Sequence, residues 1–127
     1  MNRHVGSSVR IFIGIIAIGL LLAVTQYVEG HAILKESSPA PGSTVKGPDV
    51  PITLKYNVRI DANRSKLQLS HPDNSVTDLV IDKQTAPDVL NSKATGLAAG
   101  SYKIQWQVLA PDGHITRGLI PFTVAAP

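Results

Sequence analysis

Residues 102–124 read Tyr-Lys-Ile-Gln-Trp-Gln-Val-Leu-Ala-Pro-Asp-Gly-His-Ile-Thr-Arg-Gly-Leu-Ile-Pro-Phe-Thr-Val. Tyr102, Ile104, Trp106 and Val108 are spaced by two, and so are Ile120, Phe122 and Val124. In an extended chain such residues share one face. The stretch therefore predicts a β-hairpin with one buried face, closed by a polar loop around Asp112, Gly113 and His114. Asp112 and His114 are themselves two apart, so the loop can aim a carboxylate and an imidazole at one point.

The same reading extends backwards from the hairpin. Ile52, Leu54, Tyr56 and Val58 alternate with Thr53, Lys55 and Asn57, the pattern of a half-buried strand. Leu67 and Leu69 alternate with polar neighbours, His71-Pro72-Asp73-Asn74 forms a turn, and Val76 to Ile81 returns as the partner strand. A first strand is expected over His31–Glu36, with Ala32 and Leu34 on one face. Ser37–Gly42 and Pro48–Pro51 break the ladder, leaving Val45 as an isolated core contact. Asp61–Ser65 reads as a polar loop. Asp82–Thr95 fits either a short strand around Val89 and Leu90 or irregular structure. No helical periodicity, internal repeat or low-complexity tract appears. About seven short strands predict an all-β domain, a β-sandwich with Greek-key connections.

The first thirty residues are expected to stand outside that domain. Arg3, His4 and Arg10 precede an apolar run from Ile11 to Val24, 14 residues long, short of the ~20 that span a bilayer. This is the pattern of a signal peptide, and Val28 and Gly30 suit the −3 and −1 positions of a cleavage site. The expected organisation is a signal peptide over residues 1–30 and a domain over residues 31–127. The competing expectation is an uncleaved anchor that extends the apolar run through Thr25–Val28. Without Arg3, Arg10 and Glu29 the domain keeps ten basic and eight acidic residues, net +2. That balance, with no basic run, gives no reason to expect nucleic acid.

The chain has no cysteine. Disulfides, a lipidated N-terminal cysteine, thiolate zinc sites and blue-copper centres are excluded. Met1 is the only methionine, so the mature domain would carry no soft sulfur ligand.

Cleavage after Gly30 would make His31 the N-terminal residue. Its free α-amine and Nδ1 can then close a six-membered ring on one metal ion. An α-amine ordinarily titrates at about 7.7–8.0, so it can deprotonate on binding near neutrality. A first strand running parallel beside the last one would bring His31 next to Asp112 and His114. An amine, two imidazoles and a carboxylate in a tetragonal arrangement favour Cu(II). The plainer alternatives stay open at this point: an incidental surface histidine at 31, an ordinary Asp-Gly turn and a solvated His114. His71 is expected to be solvated in its turn and Trp106 to lie in the core. Glu36 is a further candidate oxygen donor, and Arg117 receives no role. No phosphate-binding glycine loop and no Ser/His/Asp set is present.

His-Ala-Ile-Leu-Lys-Glu-Ser-Ser-Pro-Ala-Pro-Gly (31–42) and residues 100–124 together resemble the CopC copper-resistance family. The resemblance spans essentially the whole domain, with the middle strands weak. It implies a periplasmic, immunoglobulin-like β-sandwich that binds one Cu(II) ion and carries or stores it, without enzymatic activity. The family's ligands map onto His31, Asp112 and His114, and Glu36 or water would complete the coordination. Family members with a methionine-rich Cu(I) site differ from this chain, which lacks those methionines. Where the family often has a serine before the loop, this chain has Ala110 and Pro111. The expected partners are the copper ion and an inner-membrane copper transport protein, with the domain itself a monomer. Two other functions are weighed beside this one: a copper redox enzyme built on an N-terminal histidine chelate, and a metal-free immunoglobulin-like adhesion or assembly module.

Overall fold

The structure, a computed structural model, describes residues 31–127; the expected signal peptide lies outside them. Eight strands follow one another: β1 (Leu34–Ser38), β2 (Ser43–Val45), β3 (Val50–Tyr56), β4 (Lys66–Ser70), β5 (Val76–Leu79), β6 (Val89–Ala94), β7 (Gly100–Leu109) and β8 (Ile115–Val124). They form a three-stranded sheet in the order β1-β3-β6 and a five-stranded sheet in the order β2-β8-β7-β4-β5. The domain is the all-β sandwich expected, with one strand more than the alternation marks.

Alternation builds the core. β3 buries Val50, Ile52, Leu54 and Tyr56 and exposes the residues between them. β7 and β8 bury Tyr102, Ile104, Trp106, Val108, Ile120, Phe122 and Val124. The hairpin register runs from Gly100↔Val124 to Leu109↔Ile115, so two ten-residue strands zip along their whole length. Tyr102 donates its hydroxyl hydrogen to the Ala98 carbonyl at 2.8 Å. This tyrosine-corner bond spans four residues and fixes the entry into β7. Trp106 faces Gly118 across the hairpin, and a Cβ at Gly118 would stand 2.3 Å from the indole. The absence of a side chain there is what seats the ring. Tyr56 meets Trp106 edge-on at 5.4 Å, and burial pushes the Tyr56 phenol above its ordinary range.

The strand ends converge at one end of the sandwich. β1 starts where β3 ends, with Leu34 opposite Tyr56, and β7 ends where β8 starts, with Leu109 opposite Ile115. Asp61 N–H donates to Leu109 O at 3.2 Å and ties the two sheets together there. Asp61–Ser65 is a capped 3-10 turn over Ala62–Arg64, in which the Asp61 side chain accepts from Asn63 N–H.

Two details differ from expectation, and the alternative left open over 82–95 is decided in favour of the strand around Val89 and Leu90. The first strand begins at Leu34 and not at His31, and it does not run parallel beside the last strand: β1 pairs antiparallel with β3 in the other sheet. The parallel neighbour of β8 is β2, whose three residues the sequence marks only through Val45. The 82–95 segment contains a strand, β6, which pairs with β3 from Val50↔Ala94 to Lys55↔Val89.

Candidate metal centre

The loop between β7 and β8 is built by its own residues. Gly113 N–H donates to Ala110 O at 3.0 Å, and Ala110 N–H donates to His114 O at 3.1 Å. Pro111 enters this turn where no N–H is needed, and Gly113 takes a φ of +82° that a side chain would oppose. Such a turn followed by a left-handed glycine is a common short hairpin closure. It leaves Asp112 and His114 projecting together at the open end, and Ala110 is a buried part of the closure.

Asp112 is the hub. Its Oδ1 accepts from the His114 backbone N–H at 3.0 Å. Its Oδ2 lies 3.1 Å from His114 Nδ1 and 3.0 Å from His31 Nδ1. The two imidazole rings stand 5.2 Å apart, tilted by 32°. The histidine side chains are 61% and 70% exposed, whereas the carboxylate between them is 22% exposed. The His114 backbone N–H is the largest influence and holds the Asp112 carboxyl below the usual carboxylate range; desolvation opposes it, and the His114 side chain and the charge of both histidines add weaker lowering effects.

The geometry has a simple chemical reading. Two ligand atoms about 2.0 Å from one ion, at angles between square and tetrahedral, lie roughly 2.8–3.3 Å apart. The two nitrogen–oxygen separations at Asp112 fall in that range, and one donor atom from each residue lies within 4.8 Å of the others. The donors are nitrogen and oxygen only, which suits a borderline divalent ion. Their exposure leaves an ion open to solvent or to an incoming ligand.

His31 reaches this place by a route the sequence does not announce. The last backbone rung between β3 and the start of the chain is Asn57 N–H to Ile33 O, 3.1 Å. Beyond it, the Asn57 side chain takes over. Oδ1 accepts from Ile33 N–H at 2.7 Å and Nδ2 donates to His31 O at 3.0 Å. Ala32, between them, is buried. Asn57 follows the last buried residue of an alternating strand, and nothing in its sequence context connects it with residue 31.

The other sequence candidates lie elsewhere. Glu36 is exposed within β1 opposite Lys55 and is not part of the cluster. His71 sits in the expected turn but is half-buried, bonded through Nε2 to Thr77 Oγ1 at 2.9 Å and packed edge-on against Tyr102 at 5.6 Å. Trp106 is in the core, as expected. Arg117 Nε donates to Gln107 Oε1 at 2.8 Å on the outer sheet face. A cleft of about 870 Å³ adjoins the loop through Pro111 and Gly113, with Arg59, Asp61, Arg64 and Lys83 on its walls, but none of the three clustered side chains lines it.

Residues 34–125 match the family model described as the CopC domain. Protein YobA of Escherichia coli strain K12 is 29% identical over 104 residues, which cover 80% of this chain and 84% of that protein. Copper resistance protein C of Pseudomonas syringae pv. tomato is 26% identical over 120 residues, 89% of this chain and 94% of that one. The crystal structure of CopC from Methylosinus trichosporium OB3b superposes with a TM-score of 0.70 at 26% identity, covering 76% of this chain and 95% of that one.

Proposed function

This chain belongs to the CopC domain family, and from that premise we propose that it is a non-enzymatic Cu(II)-binding protein of the periplasm that carries or stores the ion in copper homeostasis. The export signal is removed between Gly30 and His31. The new N-terminus gives its α-amine and Nδ1, His114 gives an imidazole nitrogen and Asp112 gives a carboxylate oxygen. The single observation that supports this reading best is the approach of His31 and His114 to one oxygen of Asp112, at 3.0 and 3.1 Å. That oxygen is within hydrogen-bond reach of both ring nitrogens; a bound ion needs those nitrogens and the α-amine free of protons, so binding weakens in acid.

Copper is cargo in this reading, and the exposure of both histidines suits an ion that must be taken up and handed on. An inner-membrane copper transport protein is the recipient or donor. The ion stays in the Cu(II) state, because the domain after residue 30 contains no methionine or cysteine to favour Cu(I). Among the described residues the three ligands are exposed and line no part of the neighbouring cleft, which favours a carrier role over a redox enzyme.

The test is a Cu(II) titration of the exported protein, with its N-terminus identified by mass spectrometry. The expected result is a chain starting at His31 that binds one Cu(II) ion, with an absorption spectrum lacking an intense blue thiolate band. Asp112→Ala and His114→Ala should each weaken binding. Undiminished binding in both variants would place the ion elsewhere.

A further inference from the structure

We infer that Asn57 is a positioning residue for the copper chelate: its side-chain amide holds the His31–Ile33 segment so that the N-terminal amine and imidazole are already aimed at Asp112 before metal arrives. This rests on the copper reading above and concerns how the site reaches its affinity.

The β1–β3 ladder stops short of His31. Backbone pairing covers Leu34↔Tyr56 and one further rung, Asn57 N–H to Ile33 O. After Asn57 the chain turns away, and Ile60 N–H is bonded to Pro87 O on the β5–β6 connection. Among the described residues no strand pairs with His31 and Ala32, which precede the Ile33 rung. A terminal segment without such a partner frays. The Asn57 amide replaces the missing peptide, because it offers one acceptor and one donor in a plane, as a backbone unit does. The contacts also fix its orientation. Only oxygen can accept from Ile33 N–H, and only the amide nitrogen can donate to His31 O.

The two bonds act on two successive peptide planes. Holding His31 O fixes the 31–32 peptide, and holding Ile33 N–H fixes the 32–33 peptide, with the Ala32 methyl buried between them. The Cα of His31 is thereby placed, and the His31 ring is left to meet Asp112 at 3.0 Å. The bond to Ile33 N–H has a second consequence. Cu(II) at an N-terminus can displace protons from the following peptide nitrogens in alkaline solution. The second of these nitrogens, Ile33 N, has its N–H engaged by Asn57 Oδ1 and is withheld from that reaction, which limits how far the ion can spread along the backbone.

A glutamine or serine at 57 cannot meet both peptides with the same reach. Aspartate keeps an acceptor for Ile33 N–H but sets an oxygen against His31 O. Alanine removes both contacts and leaves the Asn57 backbone rung intact. Ordering the backbone of a single residue is worth about a factor of ten in a binding constant, which sets the expected scale.

The experiment uses the mature protein starting at His31, with Asn57→Ala, Asn57→Asp and a form carrying one extra residue before His31. Cu(II) affinity is measured by competition with a chromophoric chelator. The electron paramagnetic resonance spectrum is followed into alkaline solution, and amide exchange at Ile33 and the melting temperature are measured without metal. The expected result for Asn57→Ala is about tenfold weaker Cu(II) binding, faster exchange at Ile33, and a spectrum that gains peptide-nitrogen coordination at lower pH than the parent. Its melting temperature should stay close to that of the parent, and Asn57→Asp should fall between the two in Ile33 exchange. If Asn57→Ala binds Cu(II) within twofold of the parent with an unchanged spectrum, while the extended form loses binding, the positioning role is wrong and the copper site stands. If the extended form also binds as the parent does, the ligand assignment fails and the role of Asn57 fails with it. A loss of affinity in Asn57→Ala matched by a large drop in melting temperature would mark general unfolding and also overturn the proposal.

Discussion

His31 Nδ1 and Asp112 Oδ2 stand 3.0 Å apart although they come from opposite ends of the domain and from elements attached to different sheets. His31 precedes β1 of the three-stranded sheet, and Asp112 closes the β7–β8 hairpin of the five-stranded one. The fold brings them together because β1 starts, β3 ends and the hairpin turns at the same end. Their approach accounts for the low exposure of the carboxylate between two open imidazoles, and it motivates the following expectations.

The Asp112 carboxyl is held below its ordinary range, chiefly by the His114 backbone N–H. A lowered folded-state value means that ionised Asp112 stabilises the fold above the unfolded carboxylate pKa of about 3.9, and that this contribution is lost as pH falls through the lower folded value. An NMR titration of Asp112 in the metal-free protein should show a midpoint below about 3.9. The stability difference between the parent and Asp112→Asn should be present at neutral pH and vanish in strong acid. A midpoint at or above the ordinary value would contradict the hydrogen-bonded carboxylate.

Gly113 and Gly118 resist substitution for different reasons. At Gly113 the backbone has φ +82° and open space surrounds the Cβ position. Gly113→Ala should therefore cost about 1–2 kcal/mol through backbone strain. It should also disturb the approach of Asp112 to His114. At Gly118 the Cβ would meet the Trp106 indole at 2.3 Å, and such overpacking costs about 1–3 kcal/mol. Denaturant unfolding measures both costs. Only Gly118→Ala should alter Trp106 fluorescence in the metal-free protein.

Tyr102→Phe removes the hydroxyl that bonds Ala98 O and leaves the ring stacked 5.7 Å from Phe122. The expected loss is roughly 0.5–1.5 kcal/mol, the net worth of one such bond. Cu(II) affinity should be unchanged, since Tyr102 pairs with Phe122 at the opposite end of the β7–β8 hairpin from the Leu109↔Ile115 rung beside the loop. A fall in affinity on Tyr102→Phe would show that the hairpin loop depends on the far end of the strands.

The legibility of the sequence followed burial. β3, β4 and the final hairpin each bury one face of a regular alternation, so their apolar residues mark them. β6 is obscured because its inward positions include Ser92, which is buried and donates its hydroxyl hydrogen to Val80 O at 2.6 Å. β2 is too short for any period to show. Pro121 lies within β8 without breaking it, because β2 pairs only with Phe122, Thr123 and Val124. At Pro121 the side facing β2 meets Gly42 N–H through the carbonyl alone and needs no proline N–H. The three clustered side chains were legible as candidates from their residue types. Their route together was not: it depends on β1 joining β3 and on Asn57 reaching back to His31, and side chains standing in for backbone leave no periodic trace.

In the proposed site residue 31 binds copper as a chain terminus. The measurement that tests this most directly is the Cu(II) dissociation constant of the mature protein beside that of the same protein with one residue added before His31. Extension should cost a large part of the affinity, at least about a hundredfold, because the amine becomes a peptide nitrogen and the chelate ring can no longer close at neutral pH. Equal affinities in the two forms would contradict it.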